Sequence, residues 1–213
     1  QPYFAPYAGY FRLFAAADLF VVYDCVQFAR RGWVHRNRLP GGDGKLRWLT
    51  LPLEHAGREV LIRDLRFRPE ALAELTAEMR RFPSLELLYG KLRETLLGIS
   101  GDVVGYLERL LAACCSDLGL PFETMRSSTL QLDPNLRGEA RVIAIARAVG
   151  AQRYVNSPGG RVLYDHDKFA ENGLELVFLP EFPYSAASIL HRLATETARA
   201  IRSEIIASTT YAR

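Results

Sequence analysis

The sequence predicts an α/β fold, a mostly parallel sheet with helices packed on it and a central helical insert. Three observations predict it. Short apolar runs alternate with helix-length stretches towards both ends of the chain, the arrangement of a sheet covered by helices. The run "LFVVYD" (19–24) is continuously apolar where a half-exposed strand would alternate, as in a parallel strand covered on both faces. From Pro69 to Gly119 the pattern is helical throughout.

The opening residues read as a short extended piece, a Pro/Gly loop, a helix from about Tyr10 to Ala17, and the strand 18–24. "GGDG" (41–44) is a turn before the strand "RWLTLPL", which Pro52 ends. "REVLIRDLRF" (58–67) alternates Val60, Ile62 and Asp64 against Leu61, Arg63 and Leu65, predicting a more exposed strand. "PEALAELTAEMRRF" carries proline and glutamate in its first turn and arginines in its last, as the helix dipole favours. In the third helix of this insert (about 69–119), Val103, Leu107, Leu110, Leu111, Cys114 and Leu118 form one stripe and Gly119 is the stop. Strand and helix then alternate again: "FETMRSSTLQL", "GEARVIAIARAVG", "QRYVNS", a "PGG" turn, "DHDKFAENG", "LELVFL". A last long helix is predicted over about 185–206, with Ile189, Leu193, Ile201 and Ile205 on one side.

With 213 residues, 49% of them hydrophobic, the chain can bury one core, and a single domain over 1–213 is expected. The 27 basic and 24 acidic residues are spread along it, a balance that argues against a nucleic-acid partner and leaves anionic small ligands open. All but three of the basic residues are arginine, the side chain suited to bidentate phosphate or carboxylate binding. Three cysteines without framework spacing predict neither disulfides nor zinc, and no His/Cys/Asp/Glu spacing points to a metal; no cofactor is expected. No apolar run reaches the roughly 18 to 20 residues that span a bilayer, and no signal peptide is visible. The expected location is the cytoplasm, without membrane insertion.

In α/β sheets, ligands sit outside the carboxyl ends of parallel strands. The block "YDCVQFARRGWVHRNRL" (23–39) follows such a strand, as do "NSPGG" (156–160) and "PEFPYSAAS" (180–188), so three loops are placed to line one crevice. Asp24 reads either as a general base or as a turn residue. His35 titrates near neutrality and is the natural acid or base, or else a surface histidine. Cys25 reads as a thiol nucleophile or as a small buried hydrophobe. Arg30, Arg31, Arg36 and Arg38 make an anion clamp plausible, and Trp33 would stack on a ligand or pin the loop. The glycines of "NSPGG" let backbone N–H groups face an oxyanion or phosphate.

Taken together, "QPYFAPYAGYFRLFAAADLFVVYDCVQFARRGWVHRNRL", "RWLTLPL" and "RYVNSPGGRVLYDHDKFAENGLELVFLPEFPY" resemble the WbqC-like family, bacterial proteins associated with O-antigen and other surface-polysaccharide or specialised-metabolite biosynthesis. The resemblance implies an enzyme that attaches an acyl or aminoacyl group, such as glycyl, to an amino sugar. The leading reading is accordingly a transferase of amide formation in which an amine or sugar-nucleotide substrate attacks an activated acyl donor; an acyl carrier protein thioester is one such donor, and the basic balance suits an acidic carrier. The residues that match are Gln1, Pro2, Tyr3, Pro6, Gly9 and Tyr10; Tyr23, Asp24, Gln27, Arg31, Trp33, Arg36 and Asn37; and Asn156, Gly159, Gly160 and Tyr164. Residue and resemblance together nominate Asp24, His35 and Cys25 as catalytic, and Tyr10, Gln27, Arg31, Trp33, Arg36, Asn37, Asn156, Gly159, Gly160 and Tyr164 as substrate-binding. Cys25 stands where the family pattern has a second aspartate, and the stretch after Tyr184 lacks the Tyr-x-Gln of many members. Two other readings stay open. The opening strand, loop and helix are also similar to class I nucleotidyltransferase-like folds, with Gly9-Tyr10 in place of Gly-His, which implies adenylyl or nucleotidyl transfer. A non-catalytic sugar-nucleotide-binding protein is the third.

Overall fold

The computed structural model describes residues 1–209. A 3-10 turn at Ala8–Phe11 leads into α1 (Arg12–Ala16) and β1 (Phe20–Val22); the hairpin β2 (Arg36–Pro40) and β3 (Leu46–Thr50) follows. Then come α2 (Ala71–Met79), α3 (Gly90–Leu97), α4 (Val103–Leu118) and β4 (Thr124–Arg126). The remainder is α5 (Gly138–Ala148), β5 (Arg153–Asn156), α6 (His166–Glu171), β6 (Glu175–Phe178), α7 (Ile189–Thr195) and α8 (Ala198–Ala207). The fold is α/β, as the sequence predicts. Its strands pair two by two: β1 with β4 and β5 with β6 in parallel, β2 with β3 antiparallel. A parallel pair needs a crossover connection. The helices α2 to α4 lie within the one that joins β1 to β4, and α6 provides the one between β5 and β6.

Helix α4 shows why the middle of the chain is helical. Asp102 caps it, accepting from the Gly105 N–H at 2.8 Å, and Gly119 stops it in the left-handed region at φ 62°, which costs glycine little. The predicted stripe is buried, Leu107, Leu110 and Cys114 completely. Each such leucine contributes about 1.5 to 3 kcal/mol of transfer free energy.

Two predicted elements differ. Residues 58–67 form a 3-10 turn at Ile62–Asp64 flanked by isolated bridges. The buried side chains are Ile62 and Leu65, three apart, the period of a tight helical turn that the apparent alternation concealed. This segment still supports the chain beyond β1, because Phe28, Ile62 and Arg63 donate backbone hydrogen bonds to Val60, Val26 and Asp24 respectively. The long C-terminal helix is broken: Glu196 is extended at φ −129°, ψ 163°, and Thr197 starts α8 by accepting from the Ala200 N–H. Buried Arg192 spans the break, binding Glu196 Oε1 at 2.7 Å and Glu204 Oε2 at 2.5 Å.

Buried apolar side chains fall into two clusters. The larger gathers the N-terminal segment, the hairpin, α2 to α4 and the last two helices; the smaller joins α5, α6 and β6 through residues such as Val142, Phe169 and Leu176. Tyr23, one residue past β1, packs on the smaller cluster beside Tyr154 and Tyr164, so the chain beyond β1 lies where the two meet.

Candidate functional site

Beyond the carboxyl ends of β1 and β4 the chain places a compact polar group. Asp24 is fully buried, where a carboxylate needs hydrogen-bond donors. It has three: Ser127 Oγ and the Ser128 N–H, both 2.9 Å from Oδ1, and Ser128 Oγ, 2.6 Å from Oδ2. Those serines belong to the 3-10 turn Ser127–Thr129 that directly follows β4. The in-register pairing of Val22 with Arg126 brings the two strand ends together.

Cys25, half-buried, follows. Its Sγ lies 3.0 Å from Ser127 Oγ and receives Arg141 Nε at 3.3 Å. Arg141 is in the first turn of α5 and is braced by Asp133 O; Arg137, one residue before the helix, is exposed. Cys114 and Cys115 are fully buried, and burial raises both thiols, Cys115 to about 12. Tyr23 is raised first by burial and then by Cys25, while Arg141 and Arg137 pull it down, which places all four in one electrostatic neighbourhood. Tyr164 stands edge-on to Tyr154 at 5.7 Å. The "NSPGG" turn ends β5: Asn156 Oδ1 accepts from the Ser157 N–H at 2.7 Å. A Cβ on Gly160 would meet Asn156 Nδ2 at 2.5 Å and Phe178 at 3.3 Å, whereas one on Gly159 would meet nothing within 4 Å. Only Gly160 is therefore required as glycine by its surroundings.

His35 lies elsewhere. It stands edge-on to Phe28 at 5.0 Å and opens on a cleft of about 840 Å³ lined by Arg30, Trp48, Glu54, His55 and Arg68 among others, with neither Asp24 nor Cys25 in its walls. Burial, then the charge of Arg36, lowers its pKa to about 4. Trp33 packs on Trp48 at 5.2 Å, Arg36 stacks 4.1 Å above Trp48, and Arg38 faces both rings. Arg36 also donates to the carbonyls of Arg31 and Gly32, so the arginine-tryptophan stack holds its own loop, and the side chain of Arg31 points to solvent.

Three other nominated residues hold backbone. Gln27 donates to Arg58 O at 2.7 Å, and buried Asn37 donates to Phe4 O at 3.1 Å. Tyr10 donates to Gln1 O at 2.8 Å, with its phenol raised well above the usual value by burial; a base in place of the missing histidine of the nucleotidyltransferase pattern is not found there. Of the three loops expected around one crevice, the first and third touch, the Ser188 N–H donating to Arg38 O at 3.0 Å, while Tyr23 of the first packs on the same cluster as Tyr164, just beyond the second. The third packs on the N-terminal segment, where Phe182 stands 5.6 Å from Tyr7 and 5.2 Å under the Arg12 guanidinium.

Sequence reasoning missed Ser127, Ser128 and Arg141. The signal was present in "SS" (127–128) directly after the strand Thr124–Arg126, the same strand-end position that drew attention to Asp24. Among the described residues no group of three or more His, Cys, Asp or Glu is placed to hold a metal, and no helix is long and apolar enough to cross a membrane.

The model of the WbqC-like protein family matches residues 1–188. The chain belongs to the WbqC-like protein family. The match spans every residue of the Cys25 group and of the hairpin cleft's histidines, and stops before α7. A relative from Mycobacterium tuberculosis (strain ATCC 25618 / H37Rv), uncharacterized protein Rv1507c, is 29% identical over 194 residues, covering 84% of this chain and 79% of its own. No solved structure matches the chain.

Proposed function

We propose that this WbqC-like protein is a transferase of amide formation. It moves an acyl or aminoacyl group, such as glycyl, from an activated donor to the amine of an amino sugar or small metabolite in surface-polysaccharide or specialised-metabolite biosynthesis. The observation that carries this reading is Cys25: it is the half-exposed thiol of the chain, at a strand end, with Arg141 on its sulfur and Ser127 beside it. A cysteine beside a cation is the setting in which thiol nucleophiles work. The sulfur attacks the donor carbonyl and displaces the donor's thiol, and the amine then attacks the resulting thioester and displaces the Cys25 sulfur. Arg137, Arg141 and the Asn156–Gly160 turn are the groups available for an anionic donor or a developing oxyanion. The donor class that suits this chemistry is a carrier-protein thioester, whose acidic surface the mild excess of basic residues favours. His35, facing its own cleft, takes no part at the sulfur.

The test is intact-mass measurement of the purified protein with acyl- or glycyl-carrier thioesters, ATP and nucleotide-linked amino sugars. The expected result is a covalent acyl adduct that is absent from Cys25→Ala and is discharged by an amine. Binding of sugar nucleotides with no turnover from any donor would replace this reading with the binding-protein one.

A further inference from the structure

The thiol of Cys25 has more around it than a cation. Ser127 Oγ is fully buried, and it has one hydrogen to give. An ionised carboxylate only accepts, so that hydrogen goes to Asp24 Oδ1, 2.9 Å away. The Asp24 N–H donates to the same serine oxygen from 3.2 Å. The Cys25 N–H also reaches that oxygen, from a longer 3.5 Å, and shares with the nearer S–H, at 3.0 Å, the lone pair that the Asp24 N–H leaves; with its own hydrogen on Asp24, Ser127 accepts from the sulfur. Guanidinium has no acceptor either, so at 3.3 Å the Arg141 Nε–H donates to the sulfur. Every bond in the row has one direction: Arg141 to Cys25, Cys25 to Ser127, Ser127 to Asp24.

We propose that Ser127 and Asp24 are a proton relay for Cys25, with Arg141 facing the sulfur once it is charged; this rests on Cys25 being the nucleophile of acyl transfer. As the sulfur attacks the donor's carbonyl carbon, its proton crosses to Ser127 Oγ while the proton of Ser127 crosses to Asp24 Oδ1. A C–S bond forms to Cys25, the donor's own C–S bond breaks, and the departing thiolate takes a proton from solvent. In the second half, the amine nitrogen attacks the thioester carbon and loses a proton to solvent. The C–S bond to Cys25 breaks, and the relay runs backwards to restore the thiol. Ser128 fixes the carboxyl group from its other side, through its N–H to Oδ1 and its hydroxyl to Oδ2, so Asp24 cannot turn away from Ser127. Ser127 and Asp24 are positioning residues, acting on substrate only through the sulfur.

Alkylation of Cys25 by iodoacetamide reads the relay directly, because the other two thiols are fully buried. Asp24→Asn keeps an acceptor for Ser127 but cannot take its proton. In Ser127→Ala and Asp24→Asn, alkylation near pH 7 should slow about tenfold, although loss of the Asp24 charge by itself would favour the thiolate and speed the reaction, and Ser127→Thr should restore the rate. Unchanged or faster rates in folded Ser127→Ala and Asp24→Asn would overturn the relay. Should those buried substitutions prevent folding, the native protein decides: in mixtures of light and heavy water a curved dependence of the alkylation rate supports two protons in motion, and a straight line overturns it. Amide formation by Cys25→Ala is a separate outcome. If it persists, the thiol reading fails, whatever the alkylation profile says of Ser127.

Discussion

A neutral imidazole is the resting form of His35. Its pKa, lowered from 6.5 to about 4 by burial and by Arg36, gives stability a pH window. Above 6.5 the ring is neutral folded and unfolded, and nothing is lost. As pH falls below that value the unfolded chain takes up a proton that the folded ring refuses, so stability declines until about pH 4 and then levels off. Relative to His35→Gln, the native protein should lose about 1 to 2 kcal/mol between about pH 7 and about pH 5, allowing for the ring's partial exposure. Urea unfolding at a series of pH values checks this; parallel curves for the two proteins would sink it. At this scale the sequence was informative about type and mute about partner. Asp24, Cys25 and His35 share one short block, yet Asp24 is held by serines 103 and 104 positions away, and His35 faces a different cleft. Adjacency in the chain could not reveal that, because the pairing of β1 with β4 decides what meets the end of β1.

Elements were legible where one physical rule dominates. The stripe, cap and stop of α4 appear in the sequence as they do in the structure, since burial, capping and backbone handedness all act locally there. They were misread where long-range contacts win. Residues 58–67 coil because Ile62 and Leu65 share the core, and α7 ends at Glu196 because Arg192 draws Glu196 and Glu204 together across the break. The "NSPGG" turn offers a sharp trial of this kind of reasoning. Gly160→Ala forces a methyl against the Asn156 amide and the Phe178 ring and should destabilise by about 1 to 2 kcal/mol. Gly159→Ala, with open space around it, should stay within about 0.5 kcal/mol of the native protein. Thermal unfolding of the two variants measures the difference; equal values would mean that the turn yields freely at residue 160.

Across the whole molecule the two apolar clusters are unequal. The one formed by α5, α6 and β6 is small, with Tyr23, Tyr154 and Tyr164 packed on it, and Tyr23 lies two residues before Cys25. Small clusters open at lower free energy than large ones. Amides of β5 and β6 should therefore exchange with deuterium sooner than those in the middle of α4, and acylation of Cys25 should slow β5 and β6 selectively. Exchange followed by mass spectrometry tests this; protection of β5 equal to that of α4 would contradict it. The sequence carried the α/β class through its alternation of runs and helices, but not the division of its strands into three separate ladders, which depends on edges that no local pattern records.

Arg12 ties these scales together. It is fully buried, and its guanidinium donates to the carbonyls of Gly9 at 3.1 Å, Pro180 at 2.8 Å and Ser208 at 2.9 Å. Synthesis on the ribosome proceeds from the N-terminus, and segments begin to fold in that order. Two of the three oxygens that receive this cation emerge 168 and 196 residues after it. During translation the segment around Arg12 must therefore wait with a solvated charge where the finished protein is dry, and the core around Phe11 and Phe14 can close fully only after Ser208 has been made.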